Sequence, residues 1–85
     1  METFDQVLSD WKTAALKLAE AETAYERAFA EAISKAEGKN AERRQAAAKV
    51  AVEAERQKRD LARIEEEAAK WRLKYRVTHD VEAAA

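Results

Sequence analysis

The sequence predicts an all-α protein, an antiparallel two-helix hairpin with coiled-coil-like packing. Three observations lead to this fold class. The 85-residue chain has no proline and one glycine, and 39% of its residues are charged, a composition typical of long helices. Apolar residues recur in alternating steps of four and three on both sides of that glycine, Gly38. Asn40 follows two residues later, so a helix stop is followed by a helix start.

The first helix is predicted over residues 4–37. Thr3 and Gln6 form a capping-box pattern that starts it at Phe4. Its apolar stripe consists of Phe4, Leu8, Trp11, Ala15, Leu18, Ala21, Tyr25, Phe29, Ala32 and Ala36. Further apolar residues beside the stripe make it wider than one partner helix can cover. The chain is therefore expected to self-associate as a homodimer, forming a four-helix bundle or coiled coil.

The turn is predicted at residues 38–40. Gly38 reaches the left-handed conformation that ends a helix, and Asn40 can cap the next helix with its side chain. The alternative is one continuous helix that tolerates the glycine at a cost of about 1 kcal/mol. The net charge is -4 before the glycine and +3 from it onward, which favours antiparallel halves.

The second helix is predicted over residues 41–82. Its seam reads Ala47, Val50, Ala54, Gln57, Leu61, Ile64, Ala68, Trp71, Tyr75 and then Thr78 or Val77. In a hairpin closed at the turn, this seam gathers an aromatic cluster at the open end, formed by Phe4, Trp11, Trp71 and Tyr75. Residues 70–77 also alternate basic and apolar as a strand does, but a lone strand has no partner here. The last three alanines are predicted to be frayed or a cloning remnant.

One stretch has the composition of a binding site. This candidate patch comprises Lys70, Trp71, Arg72, Lys74, Tyr75 and Arg76. Basic side chains neutralise phosphates and aromatic rings stack on unpaired bases, which is the chemistry of single-strand nucleic-acid binding. Two other interpretations stay open, burial of the aromatics in the core and a protein interface. A second basic cluster near the turn, either solvated surface or a phosphate contact, comprises Lys39, Arg43, Arg44 and Lys49.

No residue pattern points to catalysis. The chain has no cysteine, and its single histidine, His79, is not spaced from acidic residues as a metal ligand on one helix face. No glycine-rich phosphate loop is present. The sequence therefore predicts a non-enzymatic protein without cofactor or metal. No apolar run approaches the roughly 18 residues of a membrane span, so we expect a cytoplasmic protein that does not bind membrane.

The chain resembles small all-helical proteins encoded by tailed bacteriophages and prophages. The resemblance is carried by Ala-Glu-Thr-Ala-Tyr-Glu-Arg-Ala at 21–28, Gly38, Ala-Glu-Arg-Arg at 41–44 and the charged, alanine-rich helix that follows. It implies an early-region gene near replication or recombination functions, and it supplies no site residues. The chain is also similar in size and hairpin form to secreted WXG-type hairpins, but Ala36-Glu37 precede the glycine where those have Trp-x-Gly.

Two functions follow as hypotheses. The first is a helical interaction protein, a phage accessory factor that binds and modulates a host or phage protein. The alternative is a single-strand nucleic-acid-binding accessory of phage replication or recombination, acting through the candidate patch. A purely structural spacer differs from the first hypothesis only in needing no exposed specific surface.

Overall fold

The computed structural model describes residues 3–36, 38 and 40–84, and within them it is all helical, as predicted. Helix α1 spans Phe4–Lys35, α2 spans Ala41–Ala51 and α3 spans Glu53–Ala84. Residues 70–77 belong to α3, which confirms the helical prediction for that stretch over the strand alternative. Residue 37, where the first helix was expected to end, and residues 39 and 85 lie outside the described residues.

Helix α1 begins with the predicted capping box. The Gln6 backbone N–H donates to the Thr3 hydroxyl over 3.2 Å, and the Thr3 backbone N–H donates to the Gln6 side-chain oxygen over 3.0 Å. These two bonds satisfy donors that a helix start leaves without partners. Helix α1 ends at Lys35, because Ala36 is extended with ψ at 133°.

The chain reverses at Gly38, whose φ of +135° lies in a region that side-chain-bearing residues rarely adopt. Asn40 then caps α2, since its Oδ1 accepts the Glu42 backbone N–H over 2.7 Å. The predicted start of the second helix after Asn40 is confirmed, whereas the first helix ends at Lys35 with an extended Ala36 as its cap and is not closed by Gly38 as expected.

The second half of the chain is two helices where one was predicted. Val52 separates them with φ at -105° and ψ at 20°, well away from helical values. Its N–H still donates to the Ala48 carbonyl over 3.1 Å, and its carbonyl accepts the Arg56 N–H over 2.9 Å. The interruption is therefore confined to one residue. Helix α3 extends to Ala84, two residues beyond the predicted end.

Helices α2 and α3 lie along α1 in the reverse direction. Near the start of α1, the Trp11 indole N–H donates to Glu66 Oε1 over 3.0 Å. Further along α1, the Arg59 guanidinium carbon lies 4.2 Å from the centre of the Tyr25 ring. From the first contact to the second, the residue number increases on α1 and decreases on α3, so the two helices are antiparallel. The protein is elongated and measures 65 × 17 × 14 Å.

One face of α2 and α3 packs against α1, and we term it the inner face. Its fully buried members are small: Ala48, Val52, Ala62 and Ala69. Half-buried residues complete a row in steps of four and three, namely Glu55, Arg59, Glu66, Leu73 and Arg76. On α1 the predicted stripe is confirmed as half-buried from Leu8 to Ala36, with Val7 fully buried beside it, whereas Phe4 is 38% exposed.

The predicted seam of the second helix is wrong: the buried row lies one to two residues further along the chain, or about 150° around the helix. Ala47, Leu61 and Ala68 were expected inside, and their successors in sequence are buried instead. The row that packs inside combines the small residues Ala48, Ala62 and Ala69 with long polar side chains that contact α1. Glu66 accepts the Trp11 indole N–H, and the Arg59 guanidinium covers the Tyr25 ring.

In the described part of the chain, no helix combines the length and apolarity needed to cross a bilayer.

Candidate functional site

Most of the large apolar residues excluded from the inner face lie in one exposed row on the other side of α2 and α3. We term this row the outer stripe; it comprises Val50, Ala54, Gln57, Leu61, Ile64, Ala68, Trp71, Tyr75 and Thr78. Its large members are between 58% exposed, for Leu61, and 78% exposed, for Val50. Single exposed apolar residues are ordinary, but an extended row of them marks an interaction surface.

The outer stripe and the inner face lie on nearly opposite sides of α3. Both rows advance in steps of four and three, and at 100° per residue their centres are separated by about 150°. A side chain such as Ile64 on the outer stripe therefore cannot reach α1 without rotation of the whole helix. None of the described segments of the chain covers the outer stripe.

Charged residues border the outer stripe along both edges. The first flank comprises Glu53, Asp60, Glu67 and Lys74, and the second comprises Ala51, Lys58, Glu65, Arg72 and His79. All of these positions are exposed except Asp60, which is half-buried. Each flank carries both signs of charge, so the stripe has the layout of a coiled-coil seam, in which flanking charges select the partner and its direction.

The candidate patch occupies the last turns of the outer stripe. Trp71 and Tyr75 lie four residues apart on one face, with two lysines on one side and two arginines on the other. The Lys74 ammonium lies 5.0 Å from the centre of the Trp71 ring, and the Tyr75 ring stacks on His79 with 5.9 Å between ring centres. Each aromatic ring therefore already has one neighbour from its own helix.

The bases of the candidate patch are not equivalent. Lys70, Arg72 and Lys74 are exposed, whereas Arg76 is half-buried on the inner face. Arg76 Nε lies 3.4 Å from Asp80 Oδ1, an ion pair within α3. Three of the four bases are thus free to meet an external anion.

The structure does not bring the four aromatics of the predicted open-end cluster together. Trp11 is half-buried against Glu66, while Trp71 and Tyr75 are 65% and 72% exposed on the outer stripe. Within the described residues, the stacked ring pairs are Tyr25 with Phe29 and Tyr75 with His79. Neither pair joins two members of that cluster.

The second basic cluster lies partly beside the turn. A Cβ atom at Gly38 would be 4.0 Å from side-chain carbons of both Arg43 and Arg44. Lys49 is exposed further along α2, and Lys39 lies outside the described residues. The described members are exposed bases without an aromatic neighbour in the same stretch, which is the pattern of solvated helix surface.

A network of charges fixes the start of α3. The Arg56 guanidinium pairs with Glu53 and, over 3.1 Å, with Asp60. Arg59 also reaches Asp60 over 3.1 Å while its guanidinium covers Tyr25. The hydrogen bond from Arg56 lowers the pKa of Glu53, and the same contact raises the pKa of Arg56. Arg59, through its contact with Tyr25, links this network in α3 to α1.

Chemistry at a metal is not indicated by the geometry of the described residues. Among them, no three histidine, aspartate or glutamate side chains group closely enough to hold an ion. His79 instead stacks on Tyr75.

Sequence reasoning missed Leu61 and Ile64 as surface residues because it assigned both to the core. The sequence does contain the signal that was overlooked. A second row, containing Ala48, Val52, Ala62 and Ala69, repeats with the same spacing one to two residues after the predicted seam. A helix that carries two such rows has two faces to cover. One partner, α1, covers the row of small residues.

Comparisons with family models, with curated proteins and with solved structures find no match to this chain, so the resemblance to phage proteins stays a prediction.

Proposed function

We propose that the protein is a non-enzymatic interaction protein that uses its outer stripe to bind an amphipathic helix of another protein chain. The observation that carries this proposal is the exposure of the large apolar side chains in one row, Leu61 and Ile64 at its centre. An apolar row bordered by charges is the feature that helix-in-groove and coiled-coil partners recognise. The resemblance to phage proteins extends the proposal to an accessory factor that binds and modulates a host or phage protein.

The helical build supports this use of the surface. Helix α1 covers the inner face and holds α3 straight and pre-formed, so little conformational entropy is lost when a partner binds. Two antiparallel hairpins that meet through their outer stripes would form a four-helix assembly. Binding of an unrelated helix would use the same side chains.

Site-directed photocrosslinking in the cells that produce the protein tests the proposal. A benzophenone side chain at Leu61 is expected to form covalent adducts with protein, because binding buries this position. The matched control places the same group at Arg63, an exposed residue outside the outer stripe. Adducts at Leu61 that are absent at Arg63 support the proposal. Absence of any protein adduct at Leu61, or equal adducts at both positions, contradicts it.

Single-strand nucleic-acid binding is the second candidate function. It is favoured by one observation, the exposure of the Trp71 and Tyr75 rings between two lysines and two arginines. Two features weigh against it. Lys74 already covers one face of Trp71, and the acids Glu65 and Glu67 border the stripe one to two turns away, where they would repel a phosphate backbone.

Fluorescence anisotropy of labelled single-stranded and duplex oligonucleotides tests this second function. We expect no binding at about 200 mM salt. At about 50 mM salt we expect only weak binding that leaves the tryptophan fluorescence unchanged. Tight binding of single strands that quenches tryptophan and is lost in the triple variant Lys70→Glu, Arg72→Glu, Lys74→Glu would establish the nucleic-acid function instead. The control variant Arg43→Glu, Arg44→Glu, Lys49→Glu carries the same charge change at the other end of the protein.

A further inference from the structure

We propose that the outer stripe binds a second copy of this chain, with the two α3 helices antiparallel and centred between Leu61 and Ile64. This inference rests on the proposed function and names the partner. Three properties of the outer stripe support it: the sizes of its side chains, the charges along its flanks and the length of the row.

The order of large and small side chains fits an antiparallel copy. With the centre between Leu61 and Ile64, these two residues pack on each other, and the remaining layers pair Gln57 with Ala68, Ala54 with Trp71 and Val50 with Tyr75. Each aromatic ring thus meets a smaller side chain, as close packing requires. A parallel copy in register would instead place Trp71 on Trp71 and Ala54 on Ala54, producing a clash in one layer and a void in another.

The flanking charges agree with the same pairing. In an antiparallel coiled coil each flank faces its own counterpart, which brings Lys58 to Glu65 and Glu53 to Lys74 of the second copy. Each pair occurs twice because the dimer is symmetric. Asp60 faces Glu67, a like-charged pair that also occurs twice, so two repulsive contacts oppose the four attractive ones. Attraction prevails, and the flanks fix the register of the apolar row.

The length of the outer stripe suits a stable interface. A fully enclosed aromatic side chain buries about 150 to 250 Å². Since Trp71 is 65% exposed and Tyr75 72% exposed, the two rings of one copy still offer roughly 200 to 350 Å². A standard interface needs about 800 Å² from each partner. The other stripe residues and the flanks, over a row of about 38 Å, can supply the remainder.

The position of the outer stripe also determines the shape of the dimer. Because the inner face and the outer stripe are about 150° apart, each α1 lies on the far side of its own α3. The four helices therefore form a nearly flat layer in the order α1, α3, α3, α1, in which the two α1 helices do not touch. A square bundle would bring all four helices around one core.

Sedimentation equilibrium of the purified chain and its variants tests the pairing. The wild-type protein is expected to be a dimer. The double variant Leu61→Glu, Ile64→Glu is expected to be monomeric, with dimer affinity lowered by at least about 100-fold, because it places charges in the apolar interface. Its helical content should be unchanged, because both residues are exposed in the single copy. Wild-type protein that stays monomeric throughout overturns the inference, whereas photocrosslinking of Leu61 to a different protein would still support the proposed function.

Charge variants on the second flank test direction and register. Glu65→Lys places lysine opposite Lys58 in the antiparallel dimer and should weaken it by roughly tenfold at low salt, as should Lys58→Glu. The double exchange Lys58→Glu, Glu65→Lys should restore the wild-type affinity. In a parallel dimer Glu65 would face Asp60, so Glu65→Lys would tighten association. Tighter association of that variant, or no rescue by the double exchange, overturns the inferred pairing.

Discussion

Replacing Trp11 with alanine is expected to lower the free energy of unfolding by about 2 to 3 kcal/mol. The side chain is half-buried between α1 and α3, and its indole N–H donates to Glu66 over 3.0 Å. Alanine removes the packing area of the ring and leaves the carboxylate without this donor. Urea unfolding followed by circular dichroism, at the lowest workable protein concentration, measures the loss.

The matched control is Trp71→Ala, the same change at the chain's other tryptophan. Trp71 is 65% exposed, so the free energy of unfolding of the single copy should change by no more than about 0.5 kcal/mol. Equal losses for the two variants would mean that Trp71 also lies in the core of the single copy. The variant Trp11→Phe keeps an aromatic ring but removes the N–H, and should cost about 1 kcal/mol.

Replacing Ala69 with leucine is expected to lower the free energy of unfolding by about 1 to 3 kcal/mol. Ala69 is only 2% exposed on the inner face, so three extra carbon atoms have no space there. The α3 backbone must move away from α1, and neighbouring contacts weaken with it. Thermal unfolding in dilute solution, with helical content compared before melting, measures the effect.

The neighbouring substitution Ala68→Leu provides the control, since Ala68 is exposed on the outer stripe. Its effect on the single copy should stay within about 0.5 kcal/mol. The two variants together determine which face of α3 packs on α1. A destabilised Ala68→Leu beside an unaffected Ala69→Leu would restore the seam predicted from the sequence.

The starts of α1 and α2 could be predicted because their signals are local. Thr3 bonds to a residue three positions away, and Asn40 to one two positions away. Such contacts depend on neighbouring sequence alone. The break at Val52 has no comparable signal, since neither glycine nor proline lies near it.

The orientation of α3 about its own axis could not be predicted from hydrophobicity. The row through Leu61 and Ile64 is more apolar than the row through Ala62 and Ala69, so a ranking by hydrophobicity places the wrong row inside. The choice depends on contacts between two segments far apart in sequence, such as Trp11 with Glu66 and Tyr25 with Arg59. The same error concealed the candidate site, because the residues assigned to the core are the exposed ones.

The break at Val52 has a consequence for the local stability of the protein. It leaves α2 with 11 residues, fewer than an isolated helix needs to persist in water. Only Ala48 within α2, and Val52 at its end, are fully buried. Helix α2 is therefore the unit with the lowest free energy of local opening, and its amide hydrogens should exchange with solvent well before those at the centre of α3.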